Sequence, residues 1–251
     1  MHPILFQVGS LTIYTYGVFM ALALIIVFAV AMERSGCDAF IGRDMVADLV
    51  FLLFVSGVLG ARLFYVIQHF GDYRDRLWQV FWIREGGLVW YGGFLGAASA
   101  GMVYAYLRRW PILRLCDFFS PLVPLGHAFG RLGCFFNGCC YGRITGSAFG
   151  VVFEGDSFRR LPIQLYESGL LLGLSFFLFF LSAKKHRAGE IFIFYLIGYS
   201  LLRFFAEYFR GDQMVTHFLT VPQWMSFFLL LGALFLMWII RRGGMHRLGG
   251  H

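Results

Sequence analysis

The chain reads as an all-α integral membrane protein of about seven transmembrane helices, its N-terminus outside and its C-terminus cytoplasmic. Three observations predict this class. Of the 251 residues, 59% are hydrophobic and only 14% are charged, whereas a soluble globular domain carries about 25% charged residues. Apolar runs long enough to cross a bilayer, roughly 20 residues each, recur along the whole chain. Lysine and arginine gather on alternate loops between those runs.

The first span is expected at 14–32. No Lys or Arg precedes it, so the n-region of a cleavable signal peptide is missing and the span is expected to be retained. The second covers 46–67 and the third 88–107. Between them runs "HFGDYRDRLWQVFWIREGGLVWYGG". Its Trp and Tyr rings suit the interfacial zone, and a short helix lying on the membrane is expected there. The fourth span, 117–137, is the weakest, because it contains Asp117, His127 and Arg131. Segment 138–164 is the longest stretch outside the spans and ends in "GDSFRRLPIQLYE", with Pro162 placed to begin the fifth helix. That helix covers 165–183, the sixth 190–209 and the seventh 219–240. No linker, low-complexity tract or repeat interrupts the series, so one membrane domain over residues 1–251 is expected.

A net charge of +7 invites a nucleic-acid partner, and the distribution argues against one. With the N-terminus outside, segments 33–45, 108–116, 184–189 and the tail after 240 face inward and hold 11 Lys and Arg; the longer outer segments hold 7. Topology, with anionic lipid at the inner surface, accounts for the basic charge.

An ionisable group inside a membrane costs about 2.5–3.5 kcal/mol at a helix centre, so it faces a polar interior or marks a function. Asp48, Arg62, Asp117, His127, Arg131, Glu167, Arg203 and Glu207 lie in or near the spans. In "GYSLLRFFAEYFRGD", Tyr199, Arg203 and Glu207 stand four residues apart and share one helix face. That face is either a structural ion pair in the bundle or an anion-binding arginine with a carboxylate that fixes it or takes a proton. "GGLVWYGGFLGA" surrounds Tyr91 with Gly86, Gly87, Gly92, Gly93 and Gly96, which let either a helix or a lipid headgroup approach the backbone.

"GHAFGRLGCFFNGCCYGR" is denser. Its glycines permit φ > 0 and close approach. Arg131 offers a planar fork suited to phosphate, and Asn137 can hydrogen-bond a headgroup. His127 is expected to be a hydrogen-bonded bundle histidine rather than a base. Cys134, Cys139 and Cys140 belong to an odd set of five cysteines with no framework pattern. Adjacent cysteines are not expected to aim at one tetrahedral ion, and C-x4-C-C is not a standard zinc spacing. They are read as small hydrophobes filling space in a glycine-rich bend. No metal and no cofactor is expected.

These motifs resemble the bacterial prolipoprotein diacylglyceryl transferase family, whose signature reads G-R-x-[GA]-N-F-x-N-x-E-x-x-G. Gly130, Arg131, Gly133, Phe135, Asn137 and Gly142 stand in register with it. Cys134 replaces the family's Asn and Cys139 its Glu. "YTYGVFMA", "GARLFYV", "YGGFLGA", "LPIQLYES", "GYSLLRFFAEYFR" and "VPQWMS" follow in the family's order, so the likeness covers nearly the whole chain. The resemblance implies a multi-pass enzyme of the bacterial inner membrane with seven spans. Such an enzyme moves the diacylglyceryl group of phosphatidylglycerol onto the lipobox cysteine thiol of a preprolipoprotein and releases glycerol 1-phosphate. Residue by residue, it implies functional roles for Tyr16, Arg131, Tyr199, Arg203 and Glu207. The family's histidine of H-G-G corresponds to Tyr91, which leaves the general base open between Tyr91 and Glu207. With these replacements the chain is a divergent member. Two alternatives stay open beside it: a related phospholipid-using membrane transferase with another acceptor, and a non-enzymatic lipid-binding or transport protein whose charged residues line a passage.

Overall fold

The computed structural model describes residues 3–8, 11–36, 41–73, 77–81, 87–211, 215–216 and 218–246. Cys37, Gly86 and the 74–76 and 82–86 parts of the segment expected to lie at the interface fall outside the described residues.

Each expected apolar run is helical, and four of the helices are long and apolar enough to cross a membrane: 15–35, 43–68, 163–182 and 221–242. The coarse expectation, a mostly helical membrane protein, therefore holds. The fourth run is broken at Ser120 and Pro121 into α5 (Ile112–Phe119) and α6 (Leu122–Asn137). At 16 residues and about 1.5 Å per residue, α6 is shorter than a hydrocarbon core of about 30 Å. Three antiparallel strand pairs were not expected: β1 (Ile4–Val8) with β2 (Leu11–Tyr14), β3 (Val151–Val152) with β4 (Arg159–Arg160), and β5 (Val215–Thr216) with β6 (Leu219–Thr220). The strands of the β3–β4 and β5–β6 pairs, two residues each, carry no period-2 signal.

The chain forms two compact units, residues 31–115 and residues 1–30 with 116–251. In the first, α2 (Arg43–Gln68) and α4 (Trp90–Leu107) pack face to face. The contact is made by small residues. A side-chain carbon on Gly60 would stand 2.4 Å from the Gly92 carbonyl oxygen, and one on Gly96 would stand 2.5 Å from that of Ser56. Gly92, Gly93 and Gly96 thus serve helix packing, one of the two readings open for them. Between the helices lie a short helix α3 (Phe70–Tyr73) and a 3-10 turn at Leu77–Phe81. Buried Arg62 holds this connection: its Nε donates to the Val80 carbonyl at 2.7 Å and its Nη2 to that of Gln79 at 3.0 Å.

In the second unit, residues 15–30 of α1 (Thr15–Ser35) follow the β1–β2 hairpin. Then α6 packs on α7 (Ile163–Ser182), α7 on α8 (Glu190–Glu207) and α8 on α9 (Val221–His246). Pro162 precedes the first residue of α7, as its missing N–H suits. Buried serines tie the helices: Ser168 Oγ donates to the Ala128 carbonyl at 3.0 Å and Ser175 Oγ to that of Pro121 at 2.7 Å. Buried Asp117, anomalous in an apolar run, accepts the Gly189 N–H at 2.6 Å and the Phe192 N–H at 2.8 Å. A carboxylate there satisfies orphan donors at the N-terminus of α8 and faces the positive end of its dipole. Its role is structural.

Candidate active site

Helices α6, α7 and α8 each carry charge into one cluster. Glu167 on α7, 2% exposed, bridges two arginines: Arg131 Nε of α6 lies 2.6 Å from Oε2, and Arg203 Nη1 of α8 lies 3.1 Å from Oε1. Arg203 Nη2 reaches Glu207 Oε2 at 3.0 Å one turn on. Thr220 Oγ1 donates to the other Glu207 oxygen at 3.2 Å. Thr220 is itself fixed by a capping box at the start of α9. Its N–H donates to Gln223 Oε1 at 3.0 Å, and its Oγ1 accepts the Gln223 N–H at 3.4 Å.

Two positive and two negative groups balance, which lets them be buried together. The exposure is uneven. The carboxylate side chains are 2% and 0% exposed, while Arg131 and Arg203 keep 12% and 16%. The carboxylates are the buried anchors, and the guanidiniums are the groups that reach the open side. Arg131 uses Nε for Glu167, and its two terminal nitrogens have no partner among the described residues. They form the edge of the fork that suits a phosphate.

Beyond Arg131, α6 ends in a tight turn. Gly138 adopts the left-handed conformation at φ +73°; its N–H donates to the Phe135 carbonyl and the Cys139 N–H to that of Cys134. This is a Schellman closure. Cys140 is also left-handed, at φ +62°, and this turns two consecutive side chains toward one place. The sulfurs of Cys134, Cys139 and Cys140 lie within 4.8 Å of one another. The expectation that adjacent cysteines do not easily aim at one tetrahedral ion assumed ordinary backbone, and a left-handed Cys140 lessens that obstacle. Cys139 Sγ donates to the Cys134 carbonyl at 3.7 Å, and hydrogen bonding among the three thiols, followed by the charges of Arg210 and Arg131, lowers the Cys140 thiol while burial raises it.

The turn is held from below. Fully buried Gln164 donates from Nε2 to the Cys139 carbonyl at 2.7 Å. Gly142 sits where a side-chain carbon would stand 2.8 Å from both the Leu161 and the Phe209 carbonyl oxygens. Its N–H donates to Leu161 at 2.9 Å, and that of Arg143 donates to Phe209 at 2.9 Å.

The structure thus gathers Arg131 and Arg203 around the Glu167 carboxylate and pairs Glu207 with Arg203. Tyr199 lies one turn before Arg203, its ring 5.8 Å from His127 and 5.8 Å from Tyr195. Tyr16, in the first turn of α1, packs against α6 at Gly133, where a side-chain carbon would stand 3.1 Å from the tyrosine ring. Asn137 is exposed at the end of α6. Tyr91 lies in the first turn of α4, 54% exposed, in the other compact unit. Glu167, Gln164, Thr220 and Gln223 had no assigned role in the sequence reading. Glu167 carried a signal, as an acid in an apolar run. The cavity of about 550 Å³ lined by Arg187, Glu190, Phe194, Met237 and Arg241 opens at the other end of α8 and shares no residue with this cluster.

The family model described as prolipoprotein diacylglyceryl transferase matches residues 3–239. Curated proteins named phosphatidylglycerol–prolipoprotein diacylglyceryl transferase are similar over nearly their whole length. That of Clostridium tetani is 31% identical, covering 96% of this chain and 98% of its own. That of Clostridium kluyveri is 33% identical, covering 97% and 98%. That of Cupriavidus metallidurans is 34% identical, covering 96% and 94%.

Proposed function

The chain belongs to the prolipoprotein diacylglyceryl transferase family, and from that premise we propose that it transfers the diacylglyceryl group of phosphatidylglycerol to the lipobox cysteine of preprolipoproteins, releasing glycerol 1-phosphate. The observation that carries this reading is the Arg131–Glu167–Arg203 bridge, which holds two guanidiniums side by side on buried carboxylates. The chemistry needs a phosphodiester held and its departing negative charge stabilised. Two preorganised arginines in a site of low dielectric supply that. Arg131 binds phosphate with its unpartnered edge. Arg203 acts beside it, oriented by Glu167 and Glu207. Because Glu207 is fully buried and shared between Arg203 and Thr220, it serves as a positioning residue. Tyr199 shares the face of Arg203, and Tyr16 and Asn137 contact the headgroup.

The attacking thiol must lose its proton. Tyr91 stands where the family has its histidine. As an ordinary phenol ionises near pH 10, it relays or positions that proton instead of acting as a free base. The whole chain works as one transferase in the bacterial inner membrane, with seven spans, the N-terminus outside and the C-terminus cytoplasmic, as the loop charges favour.

A phospholipid-using transferase with another acceptor is the second reading, favoured by Cys134, Cys139 and Tyr91 at the family's Asn, Glu and His positions. Purified protein with phosphatidylglycerol and a lipobox peptide decides between them. A peptide mass gain of one diacylglyceryl group supports the first reading. Consumption of lipid without that product supports the second. Neither change supports binding or transport.

A further inference from the structure

Three thiolates on one tetrahedral zinc at about 2.3 Å stand about 3.8 Å apart. The sulfurs of Cys134, Cys139 and Cys140 already lie within 4.8 Å of one another, so rotamer adjustments of about an ångström bring them to ligand spacing. They come from two kinds of structure. Cys134 is on α6, one turn from its end; Cys139 and Cys140 are on the turn beyond it. The turn is built, not loose: the Schellman closure fixes Cys139 to Cys134, and Gln164 clamps the Cys139 carbonyl from the core. Such outer support is what orients metal ligands. All three cysteines are partly exposed. No fourth His, Cys, Asp or Glu joins them among the described residues. Three protein ligands with one side open is the arrangement of a reactive zinc site, where a structural one is closed by four.

We propose that Cys134, Cys139 and Cys140 form a three-thiolate site for one Zn²⁺ whose fourth position is open to a thiol from outside the chain. Binding replaces three S–H protons by three Zn–S bonds. The fourth position then holds water, which an incoming thiol displaces while losing its own proton to solvent. The identity of that thiol rests on the transferase reading: it is the acceptor cysteine. Held on zinc, its sulfur stays a thiolate at neutral pH and keeps a lone pair for the glycerol carbon. The new C–S bond forms as the C–O bond to phosphate breaks. The electron pair leaves on the phosphate beside Arg131, which shares a face of α6 with Cys134 at i and i+3. The thioether, a poor zinc ligand, is released, and water returns.

The test uses the full-length reduced protein in detergent with Co²⁺ as a spectroscopic substitute for Zn²⁺. The expected result is one equivalent of Co²⁺, with an intense thiolate-to-cobalt band, tetrahedral d–d bands, and displacement by Zn²⁺. Cys134→Ser, Cys139→Ser and Cys140→Ser should each remove most of the charge-transfer intensity, and Cys116→Ser should leave it. Should the serine variants not fold, alkylation of the wild-type protein gives the same answer: Zn²⁺ should protect three cysteines, counted by peptide mass. A cysteine-bearing lipobox peptide should shift the d–d bands, and its Cys→Ser counterpart should not. No stoichiometric metal, or no protection of the three thiols, overturns the site. Metal uptake without a peptide-induced shift overturns the open fourth position. Diacylglyceryl transfer at full rate by chelator-treated, metal-free protein refutes the zinc inference and leaves the transferase reading standing. Metal uptake without transfer does the reverse.

Discussion

Glu167→Gln removes the charge that holds Arg131 and Arg203 together while keeping the side chain's shape. In the native cluster each guanidinium lies about 3 Å from a carboxylate oxygen of Glu167. At an effective dielectric of about 20 each such pair is worth roughly 5 kcal/mol of attraction, much of which only offsets desolvation. The loss is asymmetric. Arg203 keeps Glu207, but Arg131 loses its sole carboxylate among the described residues and is left as a largely buried unpaired cation. Breaking a buried pair in this way costs about 3–5 kcal/mol. At about 2–4 °C per kcal/mol for a chain of this size, the thermal midpoint should fall on the order of 10 °C. An arginine displaced by about 1 Å from the phosphate should reduce turnover about 10²-fold. The assay is the initial rate of diacylglyceryl transfer to a lipobox peptide at several phosphatidylglycerol concentrations, with unfolding followed in the same detergent. Wild-type turnover and an unchanged midpoint in Glu167→Gln would refute the view that this carboxylate organises the site.

Arg131→Lys keeps the charge and loses the fork, so transfer activity should fall by about 10² or more while the protein still inserts and purifies; near-native turnover would remove Arg131 from the mechanism. Tyr91→Phe should lose most activity and Tyr91→His should retain measurable transfer, and equal rates for Phe and Tyr would show that the hydroxyl has no chemical part. Gly60→Val should push α2 from α4, since even its first carbon meets the Gly92 carbonyl at 2.4 Å, whereas Gly17→Ala, with nothing within 4 Å, should be neutral; thermal unfolding of the two variants decides. Outside the spanning helices, Asp156 is held below the usual carboxylate range by its hydrogen bond from Arg160 and by the Phe158 N–H. Its contribution to the β3–β4 loop is therefore complete above the ordinary carboxyl pKa of about 3.9 and is lost as pH falls through the lowered native value. Proteolysis of that loop should be unchanged from pH 7 to 5 in the wild type and faster at pH 7 in Asp156→Asn.

The sequence by itself determined the membrane class, the positions of most helices and the family. These rest on quantities that need no partner. Apolar runs must be helical in lipid because each helix satisfies its own backbone. The spacing of Tyr199, Arg203 and Glu207 fixes a common face at any α-helical position. Pro162 marked the start of α7 because it has no N–H to lose. The tertiary structure decided which charges meet. Glu167 and Arg131 lie 36 residues apart, and only the packing of α6 on α7 brings them to an ion pair. Asp117 looked like a candidate for chemistry until the chain returned to place the N-terminus of α8 over it. The two-residue strands of β3–β4 and β5–β6 and the Thr220–Gln223 capping box were invisible for lack of length and of context. The cysteines show the limit most clearly. Their spacing argued against a shared point, because spacing counts residues and assumes an ordinary backbone. A left-handed Cys140 beside a left-handed Gly138 reverses the direction of a side chain without changing the count, and φ is not written in the residue names.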